Sequence, residues 1–63
     1  MGMITLELML LDGALHVLQV EQFTVDPEGE ELTYLLNKVW VVVDLPEYKH
    51  VMAYYGIKGL QIK

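Results

Sequence analysis

Acid–base or metal chemistry in this chain could come only from His16 and His50 working with the nine carboxylates, because the sequence has no cysteine, serine or arginine. An imidazole within reach of a carboxylate such as Glu7 or Asp44 is the minimum arrangement for general acid–base work. The spacing does not ask for it. There is no HxH or HExxH pattern, and the two histidines fall in different segments, well short of a metal-site signature. His16 and His50 are therefore read as ordinary structural residues, with no catalytic, cofactor-binding or metal-ligating residue assigned. The hydroxyl nucleophiles are limited to Thr5, Thr24, Thr33 and the tyrosines, which closes most hydrolase chemistry.

The residue types point instead to association. Apolar residues make up 54% of the 63, and the mean hydropathy is +0.35. A folded chain of this mass exposes roughly 4,100 Å² of about 10,400 Å² in the unfolded state, so only about 60% of its surface can be hidden. That core is too thin for the apolar content, and some apolar surface should meet a partner. The expected candidates are Met9, Leu11, Leu15 and Val17, clustered on one side of an N-terminal hairpin, and Tyr54. An exposed tyrosine beside apolar surface is a frequent interface anchor.

Charge is segregated along the chain. Residues 1–37 carry seven acids and no base, a charge of −7, whereas residues 38–63 carry four lysines against Asp44 and Glu47, a charge of +2. Phosphate recognition needs clustered Lys and Arg, so no nucleic-acid partner is expected. An acidic half can be steered to a basic protein surface. The longest apolar runs, such as Val39 to Val43, are far shorter than the roughly 18 residues of a spanning helix, and the start of the chain lacks a basic signal region. No membrane association is expected, and the absence of disulfide staples in so short a chain favours a cytoplasmic setting. Met1-Gly2 reads equally as native sequence or as a cloning remnant.

The elements that must position these residues follow from local patterning. Met3 to Leu10 and Ala14 to Val25 read as two strands joined at Asp12-Gly13. A two-residue loop would oppose Leu6 to Gln19 and Ile4 to Glu21. A three-residue loop, Leu11-Asp12-Gly13 with Gly13 in the left-handed region, pairs Leu8 with His16, Leu6 with Leu18 and Ile4 with Val20. The second register gives one consistently apolar face and leaves Met9, Leu11, Leu15 and Val17 on the other. Asp26-Pro27-Glu28-Gly29 fits a type I turn.

Residues 30–37 read either as a strand, with Phe23 opposite Leu32 and Gln22 opposite Thr33, or as a helix capped by Asp26. The strand is preferred, because Ala14 to Val25 outruns its first partner. Val39 to Val43 reads as a strand buried on both faces. Beyond it, Asp44 and Glu47 have capping-box spacing, and Tyr48, Val51, Met52 and Tyr55 recur at i, i+3, i+4 and i+7, which predicts a helix over about residues 46–55 with Gly56 as its terminator. His50 and Tyr54 would then lie off that apolar stripe. Leu60 and Ile62 leave a short final strand. Gly56-Ile57-Lys58-Gly59 resembles the GXXG loop of KH domains over about seven residues. That loop joins two helices, and four residues follow Gly59 here, so a helix end and a turn account for both glycines.

The expected architecture is a single α+β domain spanning 1–63: a small twisted antiparallel sheet from about residues 3–43, one helix packed on it, and a short C-terminal strand. The expected function is a non-enzymatic, acidic protein-interaction module that self-associates as a homodimer and acts as an inhibitor or regulator of a partner protein. Small acidic chains of viral origin supply the class-level precedent. The alternative is a structural homo-oligomer with no foreign partner, and a small acid–base enzyme is third.

Overall fold

Ile4–Leu10 (β1) and Leu15–Val20 (β2) pair in the register that gives one apolar face, with Ile4 opposite Val20, Leu6 opposite Leu18 and Leu8 opposite His16. The loop is the three-residue one. Gly13 takes φ +94°, its N–H donates to the Leu10 carbonyl at 2.9 Å, and the Leu10 N–H donates to Ala14 at 2.8 Å. A side chain at that φ would be strained, whereas glycine adopts it freely. The Asp12 carboxylate accepts the Ala14 N–H at 2.9 Å and closes the turn.

The computed structural model describes residues 2–63; Met1, and with it half of the Met1-Gly2 question, lies outside the described residues. The long second strand does not run straight to Val25. It breaks at Glu21 and continues as Gln22–Val25 (β3) in a second sheet. At the break the Glu21 N–H donates to the Leu35 carbonyl at 2.9 Å, and the Glu21 carboxylate accepts the Asn37 N–H at 3.1 Å. Glu31–Leu36 (β4) and Val39–Asp44 (β5) complete that sheet in the order β3-β4-β5.

Residues 31–36 thus form the preferred strand, but shifted by two residues from the expected pairing: Phe23 opposes Tyr34 and Val25 opposes Leu32. A shift of two leaves every side chain on its face. Asp26 causes it. Its carboxylate accepts the N–H groups of Glu30 at 2.7 Å and Glu31 at 3.0 Å, farther along the chain than the second and third N–H groups that a helix N-cap binds, and so holds a hairpin loop wider than the Asp26–Gly29 turn.

The expected helix over about residues 46–55 is absent, and the α+β class is replaced by two antiparallel sheets. Leu45–Glu47 makes one 3-10 turn, and Tyr48–Tyr55 is a strand (β6) that pairs antiparallel with β1 on one side and with Lys58–Gln61 (β7) on the other. The first sheet is ordered β2-β1-β6-β7. Val51, Ala53 and Tyr55 alternate as well as Tyr48, Val51, Met52 and Tyr55 recur helically, so periodicity alone did not decide. The vacant edge of β1 did, because a strand there satisfies a full row of backbone groups. Gly56 is not a helix end either. With φ +67° it opens the two-residue turn Gly56-Ile57 between β6 and β7, the type II′ pattern.

The inner faces of the sheets meet in one core. Leu6, Leu8, Val20, Val51 and Ala53 from the first sheet and Leu32 and Val43 from the second are buried, with Leu45 of the 3-10 turn closing the layer. Phe23 and Tyr55 bridge the sheets with ring centroids 6.3 Å apart. The C-terminus is held by Ile62 N–H to the Val51 carbonyl at 2.9 Å and by the Lys63 ammonium to the Leu45 carbonyl at 2.7 Å. Accessible surface is 4433 Å², slightly above the roughly 4,100 Å² typical of this mass.

The strand assignment of β6 gives a direct prediction. Ala53 is fully buried between Leu6 and Leu60, whereas in the expected helix it would lie off the apolar stripe of Tyr48, Val51, Met52 and Tyr55. Ala53→Leu should therefore overpack the core and lower stability in urea unfolding by about 1–3 kcal/mol; an unchanged or raised midpoint would contradict a buried strand.

Candidate functional site

The outer face of the first sheet is set by the alternation of β1 and its neighbours. Its first rung is Leu15, Met9 and His50; the second is Val17, Glu7, Met52 and Gln61; the third is Gln19, Thr5, Tyr54 and Gly59. Leu11 lies in the turn beyond the first rung. Leu15 is 50% and Val17 55% exposed, and Leu11 is more open still. Met9 is half-buried between its neighbours. Met9, Leu15 and Val17 therefore share one end of one uncovered face, with Leu11 exposed in the adjoining turn.

Tyr54 lies on the same face but on β6, at the polar end. Its ring covers Gly59, where a Cβ would come within 3.0 Å of the Tyr54 Cε1 atom, and its hydroxyl donates to the Glu7 carboxylate at 3.4 Å. Gly59 is thus a strand residue under an aromatic ring, which accounts for the second glycine of the GXXG spacing. Glu7 and Met52 separate Tyr54 from the Leu11, Leu15 and Met9 cluster.

His16 does not converge with Glu7. His16 pairs with Leu8 and so projects from the face of the sheet opposite to Glu7, and it is exposed. His50 is exposed on the outer face beside Met9, on a strand and not on a helix. Among the described residues no pocket opens and no three of His, Asp and Glu cluster.

A second apolar surface was misread in the sequence. Val39 to Val43 is not buried on both faces: Val39 is 57%, Trp40 53% and Val42 60% exposed, and only Val43 is buried. The run is β5, an edge strand bonded to β4 alone. Trp40 pairs with Leu35 and Val42 with Thr33 on the outer face of the second sheet. The signal available was Asn37-Lys38, which forms a tight turn with φ of +53° and +64°, a hairpin pattern between two apolar runs.

The two surfaces of the first hairpin predict opposite mutational outcomes. Leu15→Glu places a carboxylate in solvent and should change monomer stability by no more than about 0.5 kcal/mol. Leu6→Glu buries an unpaired charge where Leu6 is fully covered and should abolish the folded near-ultraviolet circular dichroism spectrum. Equal loss of structure in both variants would show the outer face to be internal.

Comparison of the chain with protein-family models, with curated proteins and with solved structures finds no match.

Proposed function

We propose that this chain is a non-enzymatic, self-associating protein-interaction module that works in the cytoplasm as an inhibitor or regulator of a protein with a basic surface. The observation that carries this reading is the amount of apolar surface outside the core: Leu11, Leu15 and Val17 on one sheet, Val39, Trp40 and Val42 on the other. Contiguous apolar exposure on a small domain marks interaction sites. Two layers of strands bury only the side between them, so both outer faces stay open to a partner.

Charge supports the choice of a basic partner. Asp12, Glu21, Glu28, Glu30 and Glu31 are exposed and Asp26 is half-buried, and all lie in the half of the chain that lacks lysine and arginine. Such a field raises encounter rates with a positive surface and falls with salt. The same balance opposes nucleic acid. No helix among the described residues is long and apolar enough to cross a membrane.

Light scattering behind size exclusion tests self-association. At micromolar concentration the mass should be at least twice the 7.2 kDa of one chain; a mass of one chain would overturn that part of the proposal. Affinity capture that returns only this chain at every salt concentration would favour a structural homo-oligomer over a regulator.

Fluorescence anisotropy with labelled single- and double-stranded oligonucleotides should show no binding at physiological salt. Saturable binding that weakens with salt would overturn the electrostatic argument.

A further inference from the structure

The geometry points to β5 as the seam of a two-fold dimer, in which Val39–Asp44 pairs antiparallel with the same strand of a second copy. This rests on the self-association proposed above and assigns it to one edge, leaving the hairpin face of Met9, Leu11, Leu15 and Val17 free for a different partner.

The backbone supplies the first half of the argument. Leu36 and Val39 flank a two-residue turn, and in such a hairpin the flanking residues form a hydrogen-bonded pair. Alternation then directs the N–H and C=O groups of Val39, Val41 and Val43 towards β4, and those of Trp40, Val42 and Asp44 away from the sheet. Edge strands in stable monomers are blunted by lysine, proline or a bulge. Between its ends β5 has none of these; it is Val-Trp-Val-Val-Val.

Charge chooses the occupant and the register. Groups that point outward must oppose groups that point outward, so Trp40 can face Trp40, Val42 or Asp44 of the copy. With Val41 on the two-fold axis, Trp40 faces Val42 of the copy and Val39 faces Val43. That register alone sets Lys38 of each chain opposite Asp44 of the other, bracketing the apolar strand with an opposite-charge pair at both ends. Moving the axis to Val42 sets Asp44 against Trp40 and leaves Lys38 unpaired. The Asp44 side chain makes no capping hydrogen bond with the 3-10 turn it precedes, and it is exposed, so it is available. Trp40 against Val42 is an aromatic–β-branched pair of the kind that stabilises antiparallel ladders.

Three variants and one exchange measurement test the seam. Lys38→Glu should weaken the dimer about ten-fold by sedimentation equilibrium, since it sets like charges opposite each other twice. Adding Asp44→Lys should restore most of the wild-type dissociation constant. Val42→Pro removes an outward N–H without breaking a β4 bond and should leave a folded monomer by circular dichroism. In the wild type, amide exchange at Trp40 and Val42 should slow as concentration rises. A monomeric wild type overturns both this seam and the self-association reading. A wild-type dimer that survives Lys38→Glu and Val42→Pro, yet dissociates on Leu15→Glu, overturns the seam alone and moves association to the hairpin face. Concentration-independent exchange at Trp40 and Val42 in a dimer also overturns the seam.

Discussion

The pairing of β1 with β6 is the constraint on which the other elements depend. It sets Leu6 beside Ala53 and Leu8 beside Val51, four side chains that the core covers almost completely. Without it β1 would have one unpaired edge and the second sheet would have no lid. The chain reaches this pairing only after passing through the other sheet, so the bend at Glu21 and the 3-10 turn at Leu45–Glu47 are the two places where it crosses between layers. Each crossing is secured by hydrogen bonds: Glu21 to Leu35 and Asn37 at the first, and the Leu45 N–H to the Glu30 carbonyl at 2.9 Å at the second. Leu45 also points its side chain into the core, so the second crossing contributes packing as well as direction.

Two layers also explain where the apolar excess went. A chain this short forms one interior, shared by the inner faces of both sheets, and has no third layer to cover the outer faces. Loss of the expected helix makes this more acute, because a helix would have packed across one of them. Apart from Glu7, which sits mid-strand on the outer face beside Val17, the acidic residues lie in turns and at strand ends, away from the apolar side chains of both patches.

Some of this was legible in the sequence. The first hairpin was, down to its register, because only one loop length kept glutamine and glutamate out of the apolar face and glycine stood where the left-handed residue was needed. The strand at residues 31–36 was legible as a strand but not in register, since nothing in the spacing shows that Asp26 will bind two backbone N–H groups and widen the loop. The segment 48–55 was misread because Tyr48, Val51, Met52 and Tyr55 satisfy the helical period while Val51, Ala53 and Tyr55 satisfy the strand period, and the deciding influence, the open edge of β1, lies more than forty residues away along the chain for its Thr5–Tyr54 pair. Val39 to Val43 was misread for a different reason: a run of valines shows that a strand forms, but it carries no information about whether the strand ends in the middle of a sheet or at its edge. The candidate site shared that split. The hairpin cluster was visible, whereas the β5 surface, mistaken for core, was not.

The distance between β1 and β6 also shapes how the molecule comes into being. During synthesis the hairpin of β1 and β2 emerges before β6, and its open edge waits for that later partner. Non-local closure of this kind slows folding relative to a chain of neighbouring contacts. While β1 waits, its inner residues Leu6 and Leu8 are uncovered beside an unpaired backbone. The last hairpin, β6 and β7, hangs from the rest by the short Leu45–Glu47 turn with Pro46 in it. Two nascent chains held close together can therefore complete each other by exchanging that hairpin, every bond of the β1–β6 ladder being made between chains instead of within one. The element that completes the monomer is the same one that neighbouring ribosomes on a single message would be placed to trade.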